Sequence, residues 1–426
     1  MLDNDQLKKI SGKFDKLITN VTKSSGRKQP KVPGVVVGLT NEKSTVYYDF
    51  KGVLDLKTKE PVTKDTVFCY YSCTKAITAL GLLTLVDQGK VNFDDEVRKF
   101  LPDIEKIWIV DKGTVDEKTG EFLKPPREPK TKVTIKHLLT QTAGFSYPFL
   151  NQEYGYLAFK KNPNLHSGNP TKELFSIDKM PLISEPGARF TYGHSIDWVG
   201  LVIENITGEK LGEYLKRAVF DKIGMKSCTF HMKTTENLII VQRRTRSGEL
   251  VNYSKSLILD PKIDMGGQGC FGTVEDYLKF IRMWLNYGFS PDSQVQIVNS
   301  DLAKYALKNH LPDGMTVTLD IPGLPDLPDG FSFCGMAVTG EDIATGRPKG
   351  TLYWSGLANL YYWIDFDNQI GGFWGSQVLP MADPQSLLGY FRMESAVYDV
   401  INGEDDNDDE DEDDEDEDDN DQSSKL

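Results

Sequence analysis

The feature that most constrains the fold is an apolar segment over residues 76–86, with Ser72 before it and Gly89 after it. Its apolar side chains cover most of the circumference of a helix, and a helix that is apolar nearly all round is buried. Gly89 predicts the end of this helix, because glycine readily adopts the left-handed conformation that follows many helices. We therefore expect a rigid, buried central helix that begins near Ser72.

Ser72 and Lys75 lie three residues apart, a spacing that puts both side chains on one face of a helix. A serine hydroxyl is a weak nucleophile until a neighbouring base takes its proton, and a buried lysine amine can do this. Free N–H groups in the first helical turn would also favour a developing oxyanion. The spacing is typical of an acyl-transfer nucleophile with its base, although alone it more often marks a capped helix with a surface lysine.

The charge of the chain is concentrated at one end. Of the 63 acidic residues, 16 lie within residues 404–421, so residues 1–403 carry 48 basic and 47 acidic residues. This balanced body gives no indication of binding nucleic acid or an anionic membrane. The acidic segment cannot bury apolar area, and we expect residues 404–426 to be disordered.

The cysteines and histidines predict neither disulfides nor a metal site. Five scattered cysteines, no signal-peptide pattern and no apolar run long enough to span a bilayer indicate a protein of a reducing compartment. The five histidines are widely separated, and the zinc pattern H-E-x-x-H is missing from the sequence. We expect no metal and no other cofactor.

The order of predicted elements favours an α+β fold. Residues 5–20 have helical periodicity, residues 35–50 read as a β-hairpin, and residues 330–379 are rich in β-branched and aromatic side chains. Between them the pattern is mostly helical, with helices expected at Leu201 to Phe220 and Val274 to Leu285 and an exposed excursion at residues 111–132. We predict one catalytic domain over residues 1–403, with an α/β part (about 1–90 and 315–400) and an inserted, mainly helical part (about 91–314).

Several further sequence motifs occur in the same order as in one known protein family. They are FCYYSCTK at 68–75, GKVNFDD at 89–95, FLP at 100–102, TIKHLLTQTAGF at 134–145, EPGARFTYGHS at 185–195, GGQG at 266–269 and YWSGL at 353–357. Together they resemble the superfamily of serine β-lactamases and penicillin-binding proteins, in its class C-type branch of esterases and acyltransferases. The resemblance covers about residues 30–380 and implies the β-lactamase/transpeptidase-like fold, an antiparallel sheet flanked by helices with an inserted helical subdomain.

The resemblance also implies roles for single residues. Ser72 matches the nucleophile, Lys75 its base, and Tyr192 the tyrosine of the family's Y-x-N motif, which can shuttle a proton. The oxyanion hole would consist of the backbone N–H groups of Ser72 and Leu357. His137, in contrast, lies in a stretch that serves the fold rather than the chemistry.

Two positions depart from the family pattern. His194 replaces the asparagine of Y-x-N; if its ring must stay neutral to accept a hydrogen bond from Lys75, activity should fall in acid. Trp354, Ser355 and Gly356 replace the K-T-G motif, whose lysine binds the carboxylate of penicillins. Because Trp354 cannot pair with an anion, we expect a neutral acyl substrate.

Trp354 and four other aromatic residues are candidates for an apolar acyl pocket, although most are expected in the sheet core: Tyr353, Tyr361, Tyr362 and Trp363.

The leading hypothesis is therefore a serine hydrolase or acyltransferase that takes a small-molecule ester or thioester through a Ser72 acyl-enzyme. The alternatives are a β-lactamase or D-Ala-D-Ala peptidase and, in another class, a non-catalytic binding or scaffold relative. Retention of Ser72, Lys75 and Tyr192 together argues against the scaffold.

The sequence ends in Ser424-Lys425-Leu426, and S-K-L at a C-terminus is the signal for import into peroxisomes. The sequence thus predicts a peroxisomal import receptor as a partner and a eukaryotic source, with the cytoplasm as the alternative location. The acidic run just upstream is an unusual context for this signal.

Overall fold

The computed structural model describes residues 2–25, 28–162, 169–253, 257–319, 329–335, 337–338, 340 and 345–404. The predictions of a disordered acidic tail and of an import signal concern residues that, apart from Glu404, lie outside this part of the chain. The prediction of an exposed excursion at residues 111–132 falls within it. Most of that segment is exposed, with Val115 packed inward.

The described helices include the predicted one at residues 5–20, and a second long helix, Pro384–Asn402, which was not predicted, lies at the other end of the described chain. They are α1 (Asn4–Thr22), α2 (Thr74–Asp87), α3 (Ile135–Leu139), α4 (Gln152–Tyr156), α5 (Ser195–Thr207), α6 (Leu211–Leu215), α7 (Asp221–Ile223), α8 (Val274–Leu285), α9 (Ser300–Ala306) and α10 (Pro384–Asn402). Short 3₁₀ turns lie at Tyr71–Cys73, Val97–Lys99, Pro102–Lys106 and Lys172–Leu174, and π turns at Leu157–Lys161 and Lys216–Phe220.

The described strands fall into one large sheet and three small ones. They are β1 (Gly34–Asn41), β2 (Thr45–Gly52), β3 (Val67–Cys69), β4 (Gln242–Arg244), β5 (Leu250–Asn252), β6 (Phe271–Thr273), β7 (Phe289–Ser290), β8 (Val295–Gln296), β9 (Gly330–Phe331), β10 (Ala337–Val338), β11 (Leu352–Gly356), β12 (Leu360–Asp365), β13 (Ile370–Gly375) and β14 (Val378–Leu379). The large sheet has the order β2-β1-β13-β12-β11-β10-β9, and all its pairings are antiparallel.

The large sheet joins the two ends of the chain. Val36 of β1 pairs with Gly375 of β13, so strands from both ends lie side by side within it. Alternate residues point to opposite faces: Val37 and Trp374 pack against α1 and α10, whereas Val36 packs into the core that contains α2 and α8. Helices thus cover both faces, and the α+β prediction is confirmed.

Helix α2 is the buried central helix that its apolar pattern predicts. Its residues from Thr74 to Leu85 are all buried, and the chain leaves it through Gly89 at φ +68°. Close packing surrounds the helix, since a Cβ on Gly81 would lie 2.4 Å from Leu215 Cδ2. The helix therefore holds its first turn, and the residues there, in a fixed place.

One predicted helix is divided. The segment from Leu201 to Phe220 contains the end of α5 and all of α6, separated by Gly208 at φ +72°. Apolar periodicity continues across the break, but the left-handed glycine ends the first helix there. The predicted helix over Val274 to Leu285 is confirmed in its full length as α8. Within the described residues, no helix is long and apolar enough to cross a membrane.

Candidate active site

Ser72 lies in the 3₁₀ turn that leads from β3 into α2. The residue before it, Tyr71, has φ +46°, a conformation that costs energy for a residue with a side chain. Cys73 N–H donates to the Tyr70 carbonyl over 3.1 Å and tightens the turn. Strain of this kind collects where a side chain must be presented in a set direction, and half-buried Ser72 remains in reach of solvent.

Lys75 is completely buried beside Ser72 and makes three polar contacts. Its Nζ lies 3.2 Å from Ser72 Oγ, 2.8 Å from the Tyr147 hydroxyl and 2.9 Å from the Gly267 carbonyl oxygen. The same Nζ lies 5.1 Å from the ring centre of Tyr147 and 4.8 Å from that of Tyr192. The structure thus brings together Ser72, Lys75 and Tyr192, which the sequence analysis selected.

Tyr192 is held by its neighbours in the chain and by Trp354. Its hydroxyl accepts a hydrogen bond from Trp354 Nε1 over 3.1 Å. On either side of it, Thr191 N–H donates to the Gln141 carbonyl and Gly193 N–H to the Gln141 side chain. Gln141, itself at φ +56°, therefore clamps the loop that carries Tyr192.

His194 does not make the contact that the sequence analysis considered. Its Nδ1 lies 2.7 Å from Asp197 Oδ2, and its buried Nε2 meets no hydrogen-bond partner among the described residues. Asp197 Oδ1 accepts from the N–H of Gly267, whose carbonyl binds Lys75. The predicted hydrogen bond from Lys75 to His194 is therefore wrong. The His194 ring turns toward a carboxylate one helical turn ahead, and its hydrogen bonds lead to Lys75 through Asp197 and Gly267.

The segment from Trp354 to Leu357 runs along the end of β11 toward the nucleophile. A Cβ on Gly356 would lie only 2.5 Å from the Tyr70 carbonyl oxygen, so this glycine allows the strand to approach the turn that carries Ser72. Ser355 pairs with Tyr361 in the sheet, and Leu357 follows at its edge, half-buried. The assignment of the Leu357 N–H to an oxyanion hole stays a prediction.

Of the five aromatic residues proposed for an acyl pocket, Trp354 is the one that contacts a predicted catalytic residue in the described structure. Tyr362 and Trp363 are buried in the two cores, and Tyr361 stacks on Tyr390 of α10. Tyr353 donates to Asp329 over 2.5 Å. An additional aromatic residue, Phe149, stacks on Tyr147 and is 56% exposed.

Four residues around Lys75 and its neighbours were not predicted from the sequence. Gln141 and Gly267 lie within the motifs that carry the family resemblance, whereas Tyr147 and Asp197 each lie two residues beyond one. Their position in or next to a motif was the only signal in the sequence, since each residue reaches the site through tertiary contacts. Together they bind or orient Lys75, Tyr192 and His194.

The cysteines near Ser72 do not compete with it as nucleophiles. Burial raises the pKa of the Cys69 thiol to about 12 and that of Cys73 well above its ordinary value, so both stay protonated. His137 caps α3 together with Thr134. In the part of the chain that the structure describes, no group of three potential metal ligands was found.

Comparison with known proteins identifies the family. Residues 14–396 match the model of the beta-lactamase family. An acyltransferase of Penicillium decumbens is 24% identical, covering 87% of this chain and 94% of that protein. Lovastatin esterase of Penicillium rubens is 28% identical over 82% of this chain and 90% of its own length.

Solved structures agree in fold. A mutant of simvastatin synthase from Aspergillus terreus superposes with a TM-score of 0.77 at 22% identity, covering 94% of this chain and 96% of that one. A penicillin-binding protein homologue from Caulobacter crescentus gives 0.64 at 15% identity, with coverage of 94% and 99%. The resemblance drawn from the motifs is confirmed, and so is the β-lactamase/transpeptidase-like fold. The chain therefore belongs to the beta-lactamase family, among relatives that are esterases and acyltransferases.

Proposed function

We propose that the protein is a serine esterase or acyltransferase that forms an acyl-enzyme on Ser72 from a neutral ester or thioester. The observation that carries this proposal is the position of Lys75, whose buried Nζ lies 3.2 Å from Ser72 Oγ. A base within hydrogen-bond reach of a hydroxyl is the geometry that activates a serine nucleophile.

The proposed reaction has two steps. Ser72 Oγ bonds to the carbonyl carbon while its proton passes to Lys75; the bond from that carbon to the leaving oxygen or sulfur then breaks, and the leaving group takes the proton. Tyr192, whose ring centre lies 4.8 Å from Lys75 Nζ, would pass this proton on. In the second step, the oxygen of water or of an alcohol bonds to the acyl carbon while Lys75 again accepts the proton; the bond from that carbon to Ser72 Oγ then breaks, and Ser72 takes the proton back. The N–H groups of Ser72 and Leu357 would hold the oxyanion.

The substrate is proposed to be neutral and apolar near its acyl group. At the place where a K-T-G lysine would bind a carboxylate, Trp354 instead donates its N–H to Tyr192. Aromatic rings border the Lys75 amine, and the exposed ring of Phe149 extends this surface outward. The name of one relative, lovastatin esterase, supports an ester substrate, and that of another, a methylbutanoyltransferase, supports a short, branched acyl group.

Active-site labelling tests this proposal. A fluorophosphonate probe should modify the wild-type protein on Ser72 and leave Ser72→Ala unlabelled, and nitrophenyl esters of graded chain length should be cleaved by the wild type alone. Equal labelling of Ser72→Ala would refute the nucleophile. A labelled penicillin that bound covalently to Ser72 would instead favour a β-lactamase or peptidase, and a protein inert to every probe would favour the scaffold.

We also propose, from the sequence alone, that Ser424-Lys425-Leu426 directs the protein to peroxisomes. A fluorescent protein fused to the N-terminus should mark peroxisomes, and removal of Leu426 should release the fusion into the cytosol. A diffuse signal from the intact fusion would refute this location in favour of the cytoplasm.

A further inference from the structure

The hydroxyl group that contacts the Lys75 amine most closely belongs to Tyr147. The distance from Lys75 Nζ to the Tyr147 oxygen is 2.8 Å, whereas the hydroxyl of Tyr192 takes its hydrogen bond from Trp354. We infer that Tyr147 is a positioning residue, which directs the lone pair of the neutral Lys75 amine onto Ser72 Oγ. This inference rests on the proposed acyl transfer through Ser72.

The inference follows from the number of hydrogen bonds that the Lys75 amine can donate and accept. A protonated lysine has three N–H donors, and Ser72 Oγ, the Tyr147 oxygen and the Gly267 carbonyl provide three acceptors. The neutral amine keeps two N–H groups and one lone pair. If the Gly267 carbonyl and the Tyr147 oxygen take the two N–H groups, the lone pair faces the remaining neighbour, Ser72 Oγ. Without the Tyr147 oxygen, an N–H could turn toward Ser72 and the lone pair away from it.

Tyr147 is a fixed and neutral hydrogen-bond partner of Lys75. It is 5% exposed, and its ring packs edge-on against His194 and face-to-face against Phe149, at 4.5 and 5.3 Å between ring centres. Burial raises the pKa of its hydroxyl well above the ordinary value of about 10, so the phenol keeps its proton over the working pH range. Tyr147 therefore positions the base without exchanging protons itself.

The backbone around Tyr147 is equally constrained. A Cβ on Gly193 would lie 2.3 Å from the carbonyl carbon of Ser146, so the loop that carries Tyr192 lies directly against the residue before Tyr147. His194 does not compete for Lys75, since its Nδ1 is bound to Asp197. Among the described side chains, Tyr147 and Ser72 are thus the two that hydrogen-bond to Lys75 Nζ.

The test compares Tyr147→Phe with a matched control, Tyr154→Phe. Tyr154 is also buried and also lies near the His194 ring, at 6.0 Å between ring centres, but its hydroxyl meets no hydrogen-bond partner among the described residues. Each change removes one buried hydroxyl and keeps the ring. Acylation by a nitrophenyl ester should be followed from pH 5 to 10 by stopped flow, together with kcat, KM and the melting temperature.

We expect Tyr147→Phe to acylate about ten- to a hundredfold more slowly, with KM nearly unchanged, the scale of a misplaced catalytic group. The midpoint of its acid limb should move to lower pH, because the lysine ammonium loses one acceptor. Tyr154→Phe should keep the wild-type rate and profile. A wild-type rate in Tyr147→Phe, or equal losses of rate and melting temperature in both variants, would overturn the inference.

The proposed function can fail separately from this inference. If Ser72→Ala still acylates, the proposed function falls, and with it the role of Lys75 that Tyr147 would serve. If Ser72→Ala and Lys75→Ala are inert while Tyr147→Phe is fully active, acyl transfer through Ser72 stands and only the role of Tyr147 is lost.

Discussion

At the scale of single residues, the proposed chemistry depends on a lysine with no exposed surface. Because Lys75 is enclosed by Ser72, Tyr147 and Gly267, its amine has little freedom to turn away from the nucleophile. We predict that Lys75→Ala lowers the acylation rate by roughly 10²–10⁴-fold, the usual range for a general base, and approaches the loss seen in Ser72→Ala. Burst kinetics with a nitrophenyl ester would measure it. The role assigned to Lys75 would not survive a variant that folds and keeps most of the wild-type rate.

A second residue-scale prediction concerns His231, which bridges two carboxylates. Its ring nitrogens lie 2.7 Å from Asp260 Oδ1 and 2.9 Å from Asp264 Oδ1. Partial burial disfavours the imidazolium, but the hydrogen bonds and charges of Asp260 and Asp264 outweigh it and raise the pKa of His231. A pKa raised in the folded state stabilises the fold fully below the unfolded value of about 6.5, and this gain is lost as pH rises through the folded pKa.

His231→Gln should therefore lower the melting temperature most at about pH 5–6, and the difference from the wild type should shrink as pH increases. Thermal unfolding followed from pH 5 to 9 would show this. A difference that stays constant over that range would mean that packing, rather than charge, accounts for the effect of His231.

At the scale of secondary-structure elements, the approach of β11 to the turn that carries Ser72 depends on one glycine. The 2.5 Å separation between a Cβ on Gly356 and the Tyr70 oxygen means that Gly356→Ala must push strand and turn apart. We predict a loss of kcat of about tenfold or more with a modest change in melting temperature, because displaced groups of about 1 Å strongly affect catalysis. Gly350→Ala, where a Cβ meets open space but φ is +84°, is a control for strain alone. If Gly356→Ala and the wild type had equal kcat, catalysis would not require the close contact between β11 and the turn that carries Ser72.

Elements with a strong local pattern could be predicted from the sequence, and contacts between them could not. The apolar circumference of α2 and the amphipathic periods of α1 and α8 each lie within one segment, and all three helices were predicted. Tyr147 reaches Lys75 across 72 residues of sequence, so no local pattern announces that contact. The break at Gly208 was missed because apolar residues recur on both sides of it. The motifs that carry the family resemblance led to Ser72, Lys75 and Tyr192, but not to the orientation of His194.

At the scale of the whole molecule, the acidic segment is predicted to be dispensable for chemistry. Deleting residues 405–426 leaves the cap of α10 intact, where Gly403 N–H donates to the Asp399 carbonyl. Turnover and melting temperature should stay nearly unchanged. Solubility near neutral pH should fall, because the formal net charge moves from −14 to near zero. A drop in melting temperature of several degrees on deletion would show that the segment packs on the catalytic domain.

The pairing of β1 with β13 also determines when the large sheet can form during synthesis of the chain. Val36 emerges from the ribosome more than 300 residues before its partner Gly375. At about 5–20 residues per second, the valine-rich strand β1 waits roughly 20–70 s with one edge unpaired. For most of this interval, Ser72 is without β11 and without Leu357, which follows that strand. A growing chain therefore lacks part of the proposed active site, and its unpaired strand edge is a target for chaperones until β13 has been made.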